Sequence, residues 1–340
     1  MPFAAFLNRY DPMRRWAVSE GESGWNNTTR IAENDLGDKR VLRIYETHRD
    51  ADKIAFEHDV LLKLTEAELP FAVPQPIALP DGSTFATLAD GTGRYAALFT
   101  YTAGNRPDGS APAVAEATGE AVGRLSLALR ALRPSAVPAY LPCYELERTH
   151  PSCPGSVIAS FCEAPPLAFQ DLRNPLLQIG EAMRAFQAAL KTVRELPHQL
   201  VHGDINDSNL LADAYDPARI AAILDFEFCT TELRAMEPAV ALAGLIGESG
   251  DLRAAAAFLE GFGRLAPLNQ AEIDALPLLM RLRRLDVFVH FLGRYLSGVD
   301  GAAVLRQQTQ ETAAGLALLD RHEAEIRSMC AQTMTKKAGG

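Results

Sequence analysis

Two carboxylates at the ends of short apolar runs constrain this chain more than any other feature. Leu200-Val201-His202-Gly203-Asp204 leads into Ile205-Asn206-Asp207-Ser208-Asn209, and Ile223-Leu224-Asp225-Phe226-Glu227 follows with its first acid twenty-one residues after Asp204. Burying acids beside apolar strands is costly unless something pairs with them. A divalent cation removes that cost, and Asp and Asn oxygens are hard ligands of the kind magnesium takes, usually one or two from protein with the remainder from phosphates. The chain can afford such a site. It has 340 residues, 48% hydrophobic and 22% charged, enough for two lobes with cores and too apolar for a disordered chain. Thirty-three basic against 43 acidic residues leave a net charge of −10, which disfavours nucleic acid as a partner.

Along the chain the hydrophobic period divides it in two. Residues 16–45 read as a hairpin with a Gly37-Asp38 turn, 50–66 as a helix capped by Asp50 or Asp52, and 94–101 as a buried strand. The stretch 103–113, rich in Gly, Pro and Asp, reads as a hinge, placing an N-lobe at 1–103 and a C-lobe at 104–340. In the C-lobe, 114–131, 175–195, 239–247, 252–263, 270–297 and 302–328 read as helices, with strands around loops between 196 and 228. The fold class expected is α+β, bilobal, with a small β-rich lobe before a larger helical one. The five cysteines, at 143, 153, 162, 229 and 330, form no Cys-x-x-Cys pair, and their spacing with His150 matches no common zinc finger. The opening residues carry Arg and Asp where a secretory signal needs an apolar run, and the longest apolar stretch, 238–247, is too short to span a bilayer. A cytoplasmic protein without membrane attachment is the expectation.

An Asp, an Asn five residues on, then a strand and a second Asp is the layout of phosphoryl transfer in kinase-type folds. The sequence resembles the aminoglycoside phosphotransferase and choline kinase superfamily, and within it the type II homoserine kinases. HGDINDSNLL resembles their catalytic loop and ILDFEF their metal-binding segment. The run VLRIYE, FAVPQPIALPDGS and YAALFTYTAG resembles their N-lobe, and residues 268–296 resemble that subgroup's C-terminal helices. The likeness extends over residues 15–325 and implies a bilobal kinase-like enzyme using ATP and Mg2+.

Position by position, the resemblance makes Asp204 the catalytic carboxylate, Asn209 and Asp225 the metal ligands, and His202 a scaffold of the loop. Residues 20–28 resemble the phosphate-covering turn, which makes Gly21, Ser23, Gly24 and Asn26 nucleotide contacts. Arg43 falls where kinases place a strand lysine, and Glu57, fourteen residues on, where its ion-pair partner sits. The adenine would lie against residues 98–101, including Phe99 and Tyr101. Two departures stand out: an Arg for a Lys at 43, and Glu237 where the family usually has an Asp, from which it could brace the catalytic loop.

Residues 204–237 carry eight acids and two bases. That excess points to a pocket for a cationic group, with Asp207, Glu227 and Glu232 as candidate substrate contacts. An amine-bearing alcohol fits: homoserine, an amino sugar, choline or ethanolamine. An amino acid would also need a cation for its carboxylate, from among Arg281, Arg283, Arg284 and Arg294; positions 281, 284 and 294 cannot share one helical face, and Arg281 and Arg294 are the candidates carried forward. The expected partner is a small-molecule hydroxyl acceptor, the expected assembly a monomer or homodimer. An aminoglycoside or choline-type kinase, or a non-catalytic nucleotide-binding scaffold, are the rival readings.

Overall fold

The computed structural model describes residues 2–22, 24–47, 50–138, 140–246 and 250–335. The N-lobe is a five-stranded antiparallel sheet in the order β1-β2-β3-β5-β4, built from β1 (Trp16–Glu20), β2 (Asn27–Asn34), β3 (Lys39–Tyr45), β4 (Ala86–Thr87) and β5 (Tyr95–Thr100). Gly37, at φ +86°, turns the chain between β2 and β3, as the Gly-Asp pair predicts. Alternation along the central strands serves two faces. Tyr45, Ala97 and Phe99 pack on α2 (Ala51–Leu64), whose N-cap is Asp50. Leu42, Ile44, Ala96 and Leu98 are covered on the other face by Phe6 and Leu7 of α1 (Pro2–Leu7), a helix the sequence reading did not anticipate.

The C-lobe contains α3 (Pro112–Ala131), α4 (Gly155–Glu163), α5 (Arg173–Val193), α6 (Met236–Leu245), α7 (Arg253–Leu265), α8 (Gln270–Leu296), α9 (Ala302–Arg321) and α10 (Glu323–Thr335). Two small sheets interrupt the helices: β6 (His198–Val201) pairs with β9 (Thr230–Leu233), and β7 (Leu210–Ala212) with β8 (Ile220–Ile223). The expected 302–328 helix is two helices, broken at His322, where ψ reaches 20°. The stretch expected as a hinge is tied down. Asn105 and Ala212 exchange two backbone hydrogen bonds of 3.0 and 2.8 Å, and a Cβ at Gly104 would stand 2.7 Å from the Ala212 carbonyl oxygen. A second tie joins Ala72, after α2, to Ala221 and Ile223 of β8 by bonds of 2.8 and 3.0 Å.

Helices α3 and α7 cross at glycines. A Cβ at Gly119 would run into the Phe258 carbonyl oxygen, and one at Gly261 into that of Glu116. Helix α8 starts at a capping box, in which the Asn269 side chain accepts from Glu272 N and the Glu272 carboxylate accepts from Asn269 N. Its 27 residues give a rod of roughly 40 Å. Among the described residues no helix is long and apolar enough to cross a membrane. Because backbone, not a movable side chain, fills the space beside Gly119, Gly119→Val is expected to destabilise the protein by about 3 kcal/mol, read as a lower urea midpoint at unchanged slope. An unaltered midpoint would mean that the two helices are not packed this closely.

Candidate active site

The catalytic-loop candidate is built around buried His202. Its Nε2–H donates to the Leu224 carbonyl at 2.9 Å, and its Nδ1 accepts from Asp204 N at 3.2 Å. Burial pushes its pKa down, so the ring is neutral and works as a spacer between two loops. Gly203, at φ +82°, lets the chain turn where a Cβ would meet the Phe228 carbonyl oxygen at 3.1 Å. Glu237, fully buried in the first turn of α6, accepts from His202 N at 2.7 Å and Gly203 N at 3.4 Å. The longer side chain thus reaches the loop. Asn209 closes it from the other end, with Nδ2 donating to the Asp204 carbonyl and to Asp204 Oδ2, both at 2.9 Å. Asp225 follows β8 in the left-handed region, at φ +63°, the one non-glycine residue there among those described. Such strain persists only where the surroundings impose it.

The N-lobe reaches this loop through Arg43. Its Nη1 lies 2.8 Å from Glu57 Oε1 and 3.3 Å from Asp225 Oδ1, and its guanidinium is 5.3 Å from the Phe99 ring centre. Burial opposes its charge, but Asp225 and Glu57 outweigh it and hold the guanidinium charged. Burial pushes the Glu57 carboxyl up to about 7, with Arg43 pulling the other way. Phe99 is a core residue, its ring also edge-on to His58, so its side chain does not face a ligand. Tyr101 lies just past β5, 40% exposed.

The turn after β1 carries a different arrangement from the one expected. Gly21 N donates to Thr29 O at 3.2 Å, and a Cβ there would stand 3.1 Å from Thr29 Cγ2. Gly24 has open space around it, and Ser23 lies outside the described residues. Asn26 is buried and fully engaged: Nδ2 donates to Glu227 Oε1 at 2.9 Å, and Oδ1 accepts from Arg294 at 2.7 Å. Asn27 Nδ2 donates to the other Glu227 oxygen at 2.8 Å. Asn26 and Glu227, expected to hold nucleotide and acceptor, thus hold each other and join the lobes.

Several expected acceptor contacts also have partners within the protein. Arg281 pairs with Asp320 and Glu323 on α9 and α10, both at 2.8 Å, away from Asp204. Arg294 pairs with Asp300 and donates to Asn26 and the Trp25 carbonyl. Both corrections have one cause: helical spacing places the arginines around α8 but says nothing of the carboxylates beyond its end. Glu232 is buried and accepts from Cys143 N and Leu233 N at 2.5 and 2.6 Å. Asp207 accepts from Gly109 N at 3.2 Å, beside the start of α3. Arg283 is the arginine that reaches the loop, donating from Nη2 to Asp204 Oδ1, with Nη1 3.7 Å from Asp286 Oδ2. Asp286 escaped the sequence reading; at i+3 from Arg283, on the α8 face that continues to Arg294, it was within reach of the helical period.

A family model for the phosphotransferase enzyme family, APH, matches residues 17–276. The chain belongs to this phosphotransferase family. A homoserine kinase of Brucella ovis is 26% identical over 322 residues, covering 92% of this chain and 90% of the relative. One of Acidiphilium cryptum is 28% identical over 316 residues, covering 89% of each. Among solved structures, a microcompartment-associated aminopropanol kinase superposes with a TM-score of 0.68 at 18% identity, covering 96% of this chain and 98% of that one. The GDP complex of wild-type aminoglycoside 2'-phosphotransferase-IIIa gives 0.63 at 16%, covering 95% and 98%. These superpositions establish the bilobal α+β kinase-like fold, and the family makes the chain a small-molecule kinase.

In this phosphotransferase the donor set suits a hard cation. Asp225 Oδ1 is buried without a hydrogen bond, and the Asn209 amide nitrogen is spent on Asp204, which leaves that residue's oxygen. Among the described residues no three His, Cys, Asp or Glu side chains group into a closed metal site. Two protein oxygens completed by phosphates is the magnesium pattern.

Glu237 gives the loop a pH signature. Burial raises its carboxyl from 4.5 to about 7, against the two N–H bonds it accepts. Because the folded value lies above the unfolded one, its contribution to stability is full below about 4.5 and is lost as pH climbs through about 7. The loss is on the order of 3 kcal/mol for this group. Glu237→Gln should therefore flatten the fall in unfolding free energy between pH 5 and pH 8, measured by urea denaturation. An equal fall in both proteins would place the charge change elsewhere.

Proposed function

We propose that this phosphotransferase moves the γ-phosphoryl group of ATP, with Mg2+, to a hydroxyl of a small amine-bearing acceptor, with homoserine the leading candidate. The observation that carries the reading is the pairing of Asp204, its carboxylate oriented by Asn209, with Asp225, held in a strained backbone conformation with a buried oxygen that accepts no hydrogen bond and has only the Arg43 guanidinium as ion partner. Phosphoryl transfer asks for little covalent help, so positioning and charge neutralisation provide most of the rate.

In this reading Asp204 accepts the acceptor's hydroxyl proton and aligns its oxygen with the phosphorus. Asn209 Oδ1 and Asp225 would hold the metal, which when bound neutralises charge on the β- and γ-phosphates. Arg43, fixed between Glu57 and Asp225, faces the phosphates as the strand cation, and Glu237 keeps the loop backbone still while nucleotide and acceptor exchange. Homoserine is favoured by the two homoserine kinases aligned over about nine-tenths of both chains. The second reading, an amino alcohol or aminoglycoside, draws on the cleft's acids and on the acceptors named for the structural neighbours.

The test is Mg2+-dependent ADP release with ATP against L-homoserine, L-threonine, choline, ethanolamine and kanamycin. One acceptor should accelerate release, and Asp204→Asn should lower kcat by 10²–10⁴-fold, roughly the range for loss of a general base. Asp225→Ala should remove the metal-dependent turnover. Near-wild-type turnover in Asp204→Asn, or unchanged metal dependence in Asp225→Ala, would overturn the assignment.

A further inference from the structure

We propose that Arg283 and Asp286 select the acceptor: Arg283 takes a carboxylate with the part of its guanidinium that Asp204 leaves open, and Asp286 takes an ammonium group on the same molecule. The inference rests on the phosphotransferase reading above and narrows the acceptor to a 2-amino acid with a side-chain hydroxyl.

Four arginines crowd the middle and end of α8; two are paired with carboxylates elsewhere, and a third, Arg284, is packed against backbone with its buried Nε unpartnered. Arg281 is spent on Asp320 and Glu323. Arg284 donates to the Ala243 carbonyl and lies under Gly315. Arg294 is spent on Asp300, Asn26 and Trp25. Arg283 gives one N–H to Asp204 Oδ1 and stands 3.7 Å from Asp286, beyond hydrogen-bonding distance. A guanidinium has five N–H donors in a planar fork, so it can keep Asp204 while a second carboxylate binds its remaining donors. The contact to Asp204 puts that fork beside the atom that would receive the acceptor's proton.

Asp286 completes the arrangement. Its carboxylate has Arg283 as its ion partner, while its neighbour Glu232 is closed off by the N–H groups of Cys143 and Leu233. The two side chains are 22% and 25% exposed, so solvent and a ligand reach both. Burial pushes the Asp286 carboxyl up to about 6, a cost that an ammonium partner relieves. At i and i+3 the two residues are neighbours on one helix face, matching a carboxylate and an ammonium on one carbon. An acceptor without a carboxylate leaves the open donors of Arg283 unpaired, which discriminates against amino alcohols and choline.

The experiment compares L-homoserine with 3-aminopropan-1-ol, which lacks the carboxylate, and 4-hydroxybutyrate, which lacks the ammonium group. Each is assayed with wild type, Arg283→Gln, Arg283→Lys and Asp286→Asn, with thermal unfolding of each variant as the control for folding. Arg283→Gln should lower kcat/KM for homoserine on the order of 10²-fold more than for 3-aminopropan-1-ol, chiefly through KM, as expected for a charged hydrogen bond lost. Arg283→Lys should restore part of it. Asp286→Asn should weaken homoserine at least tenfold more than 4-hydroxybutyrate. Losses of equal factor across the acceptors would overturn the proposal, leaving Arg283 only to position Asp204. Wild-type turnover confined to carboxylate-free acceptors would also overturn it with the phosphotransferase reading intact. No Asp204-dependent turnover with any acceptor would overturn that reading itself.

Discussion

Arg43 lies between two carboxylates from different lobes, Glu57 at 2.8 Å and Asp225 at 3.3 Å. Removing a charge from water is tolerated only when partners replace the water, and here the two carboxylates, which repel each other, both depend on Arg43 as it depends on them. The arrangement fixes strand β3 and helix α2 to each other and sets the N-lobe against the segment after β8. A second tie, Arg294 to Asn26 and Asn26 to Glu227, joins the lobes beside the first, close enough for Glu227 to feel the charges of Arg43 and Asp225. Acids still outnumber the cations that reach them. Glu57, Glu232 and Asp286 are all pushed up in pKa, with burial the leading cause. A cleft so loaded gains from a metal ion and a cationic acceptor.

Against that loaded cleft the catalytic-loop candidate is held rigid by contacts within the protein. His202 spans to Leu224, Glu237 takes two backbone N–H groups, and Asn209 returns to Asp204. Orientation of Asp204 is therefore established before any ligand arrives. That suits a reaction whose barrier is lowered mainly by position.

Much of this was legible in the sequence because it is local. Asp204, Asn209 and Asp225 declare themselves by spacing, and the resemblance to kinases implies the pairing of Arg43 with Glu57. The resemblance sets Glu237 where it could brace the catalytic loop, and the structure shows its longer side chain accepting from His202 N. What escaped depends on contacts far apart in sequence. Periodicity sets the angles of Arg281, Arg283 and Arg294 around α8, but Asp320, Glu323 and Asp300 decide which of them are spent. In the sequence Asn26 resembles a phosphate contact, because nothing near it announces Glu227, two hundred residues away. Strand β9 hid in Thr-Thr-Glu-Leu, too short and polar to show a period, and the break at His322 hid within one continuing apolar stripe.

The claim on which the account stands is that Asn209 and Asp225 present oxygens to a metal that carries the nucleotide's phosphates. Anomalous diffraction from crystals grown with Mn2+ and a non-hydrolysable ATP analogue tests it directly. The account predicts an anomalous peak within bonding distance of Asn209 Oδ1 and an Asp225 carboxylate oxygen, with analogue phosphates completing the shell. Nucleotide bound in the cleft with the metal on other residues, or with no metal between these two, would contradict it.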